Sequence, residues 1–442
     1  MFRGVKIFFS YFFSVAKISC LFLIVFFLPR LFLIYLHTET YAATHKKNRF
    51  KLGIENISCK LIRKICSKEN NADCLIGLIT NQTGKNQYGK RNLDILLQKG
   101  LTVKKIFAPE HGIDGTKQAA TDIFNSIDKK TNIPIISLYA NGKPQPINKD
   151  TVKDIDVLVF DMQDCGIRHY TYITTLFESI EAASKLHKKI IVLDRPNILG
   201  HCMEGPLVES DFKSAISFAP IPLRYGMTIG ELALYYNKYK IEKKADLYVI
   251  PMKNYRRNSY PHNKLLTTLS PNIQTMASCY GYSFLGILGE IRPFNTGIGS
   301  KQPFQCILLP DEVIFPHENW KELHKILKSY NISSGFYRYF DTRKKKYFSG
   351  LKFKITDMFN LYSFNLLIDI IAFFQKSGIT IQFSKLFNRA VGTDKIRKFL
   401  DGEISNKALQ DFINTNLNSF YKKASTCFIY SPFPKIKYAN IT

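Results

Sequence analysis

The sequence predicts an α/β protein with a doubly wound, mostly parallel sheet, followed by a second, smaller α+β domain. Three observations predict it. Short unbroken apolar runs recur through the first half of the 442 residues, as strands buried on both faces do. Amphipathic stretches of helix length separate them. Each run ends in polar residues able to do chemistry, and in sheets of this kind the residues past the carboxyl ends of the strands gather into one ligand crevice.

Taken in order, Leu75 to Ile79 ends in Thr80-Asn81-Gln82-Thr83-Gly84, and a helical stretch, Asn92 to Lys99, follows. Val103 to Phe107 ends in Ala108-Pro109-Glu110-His111-Gly112, and Ile135 to Tyr139 reads as a further strand. Val157 to Phe160 ends in Asp161-Met162-Gln163-Asp164, with Arg168 and Tyr170 just beyond. Tyr172 to Leu186 is apolar at helical spacing and leads to the Ile190 to Leu193 run, which ends in Asp194-Arg195-Pro196-Asn197. Met227 to Lys240 opens with Thr228 and Glu231 at capping-box spacing, and Leu247 to Pro251 is the last strand. This is a Rossmann-like catalytic domain over 52–268. Thr80 to Gly84 lacks the glycine fingerprint for dinucleotides, so no cofactor is expected. Ser270-Pro271-Asn272 and the Gly- and Pro-rich stretch from Gly281 to Phe304 mark a break. Beyond it, strands at Cys306 to Leu309 and Leu351 to Ile355 mix with helices at Ser363 to Gln375 and Asp394 to Phe399. A helical pair runs from Asn406 to Lys423. Residues 269–442 read as a smaller α+β domain covering the cleft.

The first 44 residues stand apart. Arg3, Lys6 and Lys17 precede the apolar run Ile18 to Leu28, and Thr40-Tyr41-Ala42-Ala43 offers small residues for cleavage, the pattern of an export signal or an N-terminal membrane anchor. The mature protein is expected outside the cytoplasm. Eight of the nine cysteines lie beyond this segment. They show neither C-x-x-C pairs nor zinc-ligand spacing, so no metal is expected. They read as small buried residues, with one disulfide left open among Cys59, Cys66 and Cys74. The formal net charge of +27 comes from scattered lysines and reads as a solvated surface. There is no helix-turn-helix, zinc-finger or RNA-binding signature, so a nucleic-acid partner is not expected. Oligomeric state is not encoded legibly.

No nucleophile elbow, P-loop or HExxH helix is present, which leaves paired carboxyl groups as the chemistry. Glu110, on a rigid turn behind Pro109, suits a general acid, with His111 beside it. Asp161, Gln163 and Asp164 put two carboxylates and an amide within four residues, and one carboxylate could activate water or support positive charge on a sugar ring. Arg168 carries a fork suited to a ligand carboxylate, or pairs with Asp164. Asp194 with Arg195 repeats the theme, as ligand contacts or as a structural ion pair. Asn81, Gln82 and Tyr139 are expected to hydrogen-bond a ligand.

Several of these strings occur in a fixed order: Gly77-Leu78-Ile79-Thr80-Asn81-Gln82-Thr83-Gly84, Phe107-Ala108-Pro109-Glu110-His111-Gly112, Asp156 to Asp164, Val192 to Asn197, Glu204-Gly205-Pro206, Arg224 to Leu232, Ser270-Pro271-Asn272 and Val391-Gly392-Thr393-Asp394. Together they resemble the bacterial exo-β-N-acetylmuramidase family of peptidoglycan-recycling glycosidases. The resemblance implies a secreted or periplasmic hydrolase that releases non-reducing terminal N-acetylmuramic acid from peptide-free cell-wall glycans. Glu110 matches the acid of the family's Glu-His-Gly motif and is the implied proton donor, with Asp164 and His111 in the catalytic set. Asp161, Gln163, Arg168 and Tyr170 match the neighbouring motif and imply the sugar site, Arg168 facing the lactyl carboxylate. The chain departs from the family at Gly297-Ile298-Gly299-Ser300, where members tend to carry Gly-Arg-Gly-Thr, and at Leu288-Gly289-Glu290-Ile291, where Glu290 keeps a carboxylate near the cleft. Arg292 or Lys301 is a candidate for the displaced charge. A second reading is a catalytically impaired cell-wall glycan-binding protein with the same fold.

Overall fold

The computed structural model describes residues 49–441, apart from 68–71, 118–120 and 259–267. The N-terminal segment, with its signal-or-anchor reading, lies outside the described residues. Residues 51–442 form one compact unit.

The central sheet has seven strands: β1 (Leu75–Thr80), β2 (Thr102–Ala108), β3 (Ser126–Ile127), β4 (Pro134–Ser137), β5 (Val157–Asp161), β6 (Lys189–Leu193) and β7 (Asp246–Ile250). Their spatial order is β7-β6-β5-β1-β2-β4-β3, all parallel except the edge pair β3 and β4. Every residue of β5 is buried, which is why its sequence is an unbroken apolar run. Helix α1 (Asn92–Gln98) connects β1 to β2, α2 (Tyr172–Lys185) connects β5 to β6, and α3 (Ile229–Tyr239) precedes β7. Tyr172, Ile173, Leu176, Phe177, Ile180 and Ala183 form the buried stripe of α2. The Thr228–Glu231 capping box is present at the start of α3.

The second half holds α4 (Met276–Leu288), β8 (Cys306–Pro310), α5 (His317–Ser329), β9 (Ser333–Asp341), β10 (Lys346–Lys354), α6 (Ser363–Lys376) and α7 (Asn406–Ala424). Its main sheet is antiparallel, in the order β8-β10-β9.

Four expectations change. The 135–139 run is not one strand: the Ser137 hydroxyl donates to the Tyr139 carbonyl at 2.7 Å and accepts from its N–H at 3.1 Å, turning the chain out of the sheet. Such local side-chain bonds compete with a ladder. The glycine-rich stretch from Gly281 does not begin in a loop: its first part, through Leu288, lies inside α4. A Cβ at Gly281 would sit 1.7 Å from the Phe304 carbonyl oxygen, and one at Gly286 would sit 2.4 Å from His169 Nε2, so both positions serve close approach. Asn406 to Lys423 is one helix, capped by Ser405 and buried through Leu409, Ile413, Leu417 and Phe420. Helix α5 has an amphipathic signal, with Trp320, Leu323 and Leu327 buried, that the sequence reading passed over.

Candidate active site

The chain leaves β1 toward β2 on one side of the sheet and later returns to place β5 on the other. The β1–β5 pair is therefore the switch point where loops diverge and a crevice opens. Thr80 and Asp161 face each other in register there. Asn81, Gln82, Asp164 and Glu110 follow immediately from the carboxyl ends of β1, β5 and β2.

Beneath the crevice lies a buried polar frame. Asp161, with no exposed surface, accepts from Arg195 Nε at 2.6 Å and Nη2 at 2.9 Å and from Asn92 Nδ2 at 2.9 Å. Asp194 accepts from the Arg195 and Gly230 N–H groups at 2.9 and 2.8 Å, from the Thr228 hydroxyl at 2.9 Å and from the Tyr430 hydroxyl at 2.6 Å. It thereby anchors the start of α3. Burial pushes its carboxyl up to about 6. The salt bridge of Arg195 thus runs to Asp161 and not to Asp194, and all three side chains brace strand ends where ligand contacts were expected. Arg168 also differs from expectation. It is fully buried and donates to the carbonyls of Pro206 (2.7 Å), Ile221 (2.8 Å), Ala390 (3.1 Å) and Val391, and to the Ser217 hydroxyl (3.3 Å). Burial among carbonyls lowers its guanidinium to about 9. Its fork closes on the protein's own backbone, which leaves no donor for a ligand carboxylate in this conformation.

The other expected residues lie on the strand-end rim above this frame. Glu110 is half-buried on the turn after β2 and accepts from the Thr171 hydroxyl at 2.8 Å. His111 follows with φ of +72°, and its Nδ1 lies 2.7 Å from the Lys117 carbonyl. A carbonyl can only accept, so Nδ1 carries a proton and donates it to Lys117. Asp164 is buried, and its Oδ2 accepts from the Gly166 N–H at 2.6 Å and from the Tyr225 hydroxyl. Its Oδ1 has no hydrogen-bond partner among the described residues. Burial raises this carboxyl to about 7, against the opposing effect of those two bonds. Asn81 Nδ2, Gln82 Oε1 and Gln163 Oε1 are likewise buried and without hydrogen-bond partners among the described residues. Buried polar groups are nearly always paired, so a cluster of unmatched ones at a strand-end crevice is unspent capacity to hold a polar ligand.

Tyr282, on α4, ties the groups together. Its phenol is held well above its ordinary range by burial and by its neighbours Cys165, Glu110, Glu290 and Asp164. Carboxyl groups from three separate segments therefore act on one phenol. Glu290 accepts from the Ser384 hydroxyl at 2.6 Å. Tyr139 lies on the same side, its phenol raised by burial and then by Glu110 and Asp122. Gln82 Nε2 (2.9 Å), Tyr170 (2.7 Å) and Tyr172 (3.0 Å) all donate to the Leu269 carbonyl. At the departing segment, neither Arg292 nor Lys301 bonds to the glycine loop; Arg343 Nη2 does, donating to the Ile298 carbonyl at 2.7 Å.

The sequence reading missed Thr171, Tyr225 and Tyr282. Thr171 lies between the named Tyr170 and Tyr172, and Tyr225 inside the Arg224 to Leu232 string, so adjacency to named residues is an available signal. Tyr282 had none, because it reaches the site only through the placement of α4.

Comparison with known proteins agrees with this architecture. A family model described as the N-terminal part of exo-beta-N-acetylmuramidase NamZ matches residues 76–277, and one for its C-terminal part matches residues 280–430. The peptidoglycan beta-N-acetylmuramidase NamZ of Bacillus subtilis (strain 168) is 38% identical over 272 residues, spanning 60% of this chain and 63% of that relative. A crystal structure of a DUF1343 family protein from Bacteroides fragilis NCTC 9343 superposes with a TM-score of 0.73 at 27% identity, covering 87% of this chain and 99% of that one. A second DUF1343 protein from the same strain gives 0.65 at 27% identity, covering 86% and 99%. With the two family models together spanning most of the chain, the protein belongs to the exo-beta-N-acetylmuramidase NamZ family.

Proposed function

We propose that this protein is an exo-acting glycoside hydrolase that releases non-reducing terminal N-acetylmuramic acid from peptide-free peptidoglycan fragments during cell-wall turnover. The observation that carries this reading is that Glu110 and Asp164 follow the carboxyl ends of β2 and β5, the strands on either side of β1 at the sheet's switch point. Glycoside hydrolysis needs two carboxyl groups, one to protonate the leaving oxygen and one to assist the oxocarbenium-like centre or its water. Glu110 is the proton donor in this scheme, steadied by Thr171. Asp164, oriented through Oδ2 by Tyr225 and Gly166, is the second group. Asn81, Gln82, Gln163 and Tyr139 supply hydrogen bonds to the amino sugar, and His111 positions the Glu110 turn through its bond to Lys117.

The protein acts outside the cytoplasm, a reading supported by the N-terminal segment's composition and by the Cys66–Cys74 disulfide, a bond that persists in oxidising compartments. Membrane association, if the segment is retained, comes through that segment alone. The test is release of N-acetylmuramic acid from a chromogenic β-N-acetylmuramide by purified protein. Turnover supports the hydrolase. The second reading, a glycan binder without activity, is favoured at one point, Ile298 in place of the family's arginine; sugar binding with no turnover would establish it and sink the first.

A further inference from the structure

Cys165 and Cys279 are separated by 113 intervening positions, yet their sulfur atoms lie 2.8 Å apart, both side chains wholly buried. This is about 0.8 Å beyond a disulfide bond of ~2.05 Å, closer than packing alone brings two sulfurs. Cys165 belongs to the turn that presents Asp164. Cys279 sits on the first turn of α4, three residues before Tyr282. The pair therefore joins the turn after β5 to α4. We infer that Cys165 and Cys279 form a disulfide in the mature protein, stapling the Asp164 turn to the helix that carries Tyr282.

In the bond-forming step the two thiols lose two protons and two electrons to the disulfide of an oxidised thiol carrier, a protein disulfide or oxidised glutathione, which is cleaved to its two thiols. The step must precede burial. In the folded protein the Cys165 thiol is pushed well above its ordinary range by burial and by Cys279, and exchange requires a thiolate with access to its target. The staple is thus laid down during folding and then sealed. It is a fixed fastening and not a reversible switch.

The inference rests on the proposed export, and the test separates the two. Full-length protein is isolated from its native envelope, and a second sample is denatured, reduced and refolded in a glutathione redox buffer. Both are alkylated with N-ethylmaleimide under denaturing, non-reducing conditions and mapped by mass spectrometry. The expected result is a peptide pair joined through Cys165 and Cys279, alongside Cys66 joined to Cys74, leaving four of the eight cysteines beyond the N-terminal segment to react. Under native conditions, dithiothreitol should open the partly exposed Cys66–Cys74 bond first. Both bonds in the refolded sample but neither in the native one would refute export, and with it the staple in the mature protein, while showing that the fold can form it. Alkylation of both Cys165 and Cys279 in the refolded sample would overturn the staple, whatever happens at Cys66 and Cys74.

Discussion

The Thr171 hydroxyl donates a 2.8 Å hydrogen bond to Oε2 of Glu110, linking the turn after β2 to the cap position of α2. The proposed proton donor is thereby held by a residue from a different strand–helix connection. Replacing Thr171 with Val keeps the shape and removes the donor. A single hydrogen bond of this kind contributes about 1 kcal/mol, so turnover should fall by roughly 5-fold. Steady-state hydrolysis of a β-N-acetylmuramide measures it, and an unchanged rate would show that Glu110 needs no such support.

Glu110→Gln should lower turnover by about 10²–10⁴-fold, the usual contribution of a general acid, with little change in melting temperature because the side chain is half-buried. Comparing leaving groups isolates the role. A dinitrophenyl muramide needs no protonation on departure and should recover much of the lost rate. Equal losses on both substrates would assign Glu110 to the other half of the reaction.

Asp164 titrates near 7 because it is buried. A requirement for Glu110 protonated and Asp164 ionised gives a bell-shaped rate profile, and Asp164, as the group that must be ionised, should set its acid limb near pH 7. Asp164→Asn should cut activity by about 10²-fold or more and abolish that limb. Stability should respond as well. The folded protein holds this proton more tightly than the unfolded chain, so the associated stability is complete below about pH 4 and is lost as pH rises through about 7. The melting temperature of Asp164→Asn should therefore gain on that of the parent between pH 5 and pH 8. A gap that stays constant would rule out a raised Asp164.

Arg195→Met should damage the fold rather than the chemistry. It strands Asp161, fully buried, with only Asn92 as a remaining side-chain partner. Breaking a buried ion pair by removing one partner costs about 3–5 kcal/mol. Denaturant unfolding measures the loss. A cost under about 1 kcal/mol would mean that Asp161 protonates or rehydrates with ease.

Legibility in the sequence followed the range of the interactions. Buried parallel strands must be apolar throughout, so β1, β2, β5, β6 and β7 announce themselves, and so does the rim they end on. The partners of the rim residues did not, since they are chosen by tertiary placement. Arg168 looked like a ligand fork because nothing local reveals the carbonyls of Ala390 and Val391 waiting more than 200 positions away. Arg195 looked paired with its neighbour Asp194, whereas the sheet brings it to Asp161. Helix α4 was obscured because its glycines, selected for close approach to Phe304 and His169, carry the same letters as a loop.

The Leu269 carbonyl receives donors from Gln82, Tyr170 and Tyr172 at the crossing between the two halves of the chain. Three attachments on one oxygen pin the passage at a single point, so the halves cannot swing apart there without giving up all three at once. A sugar approaching this protein meets a mould already cast.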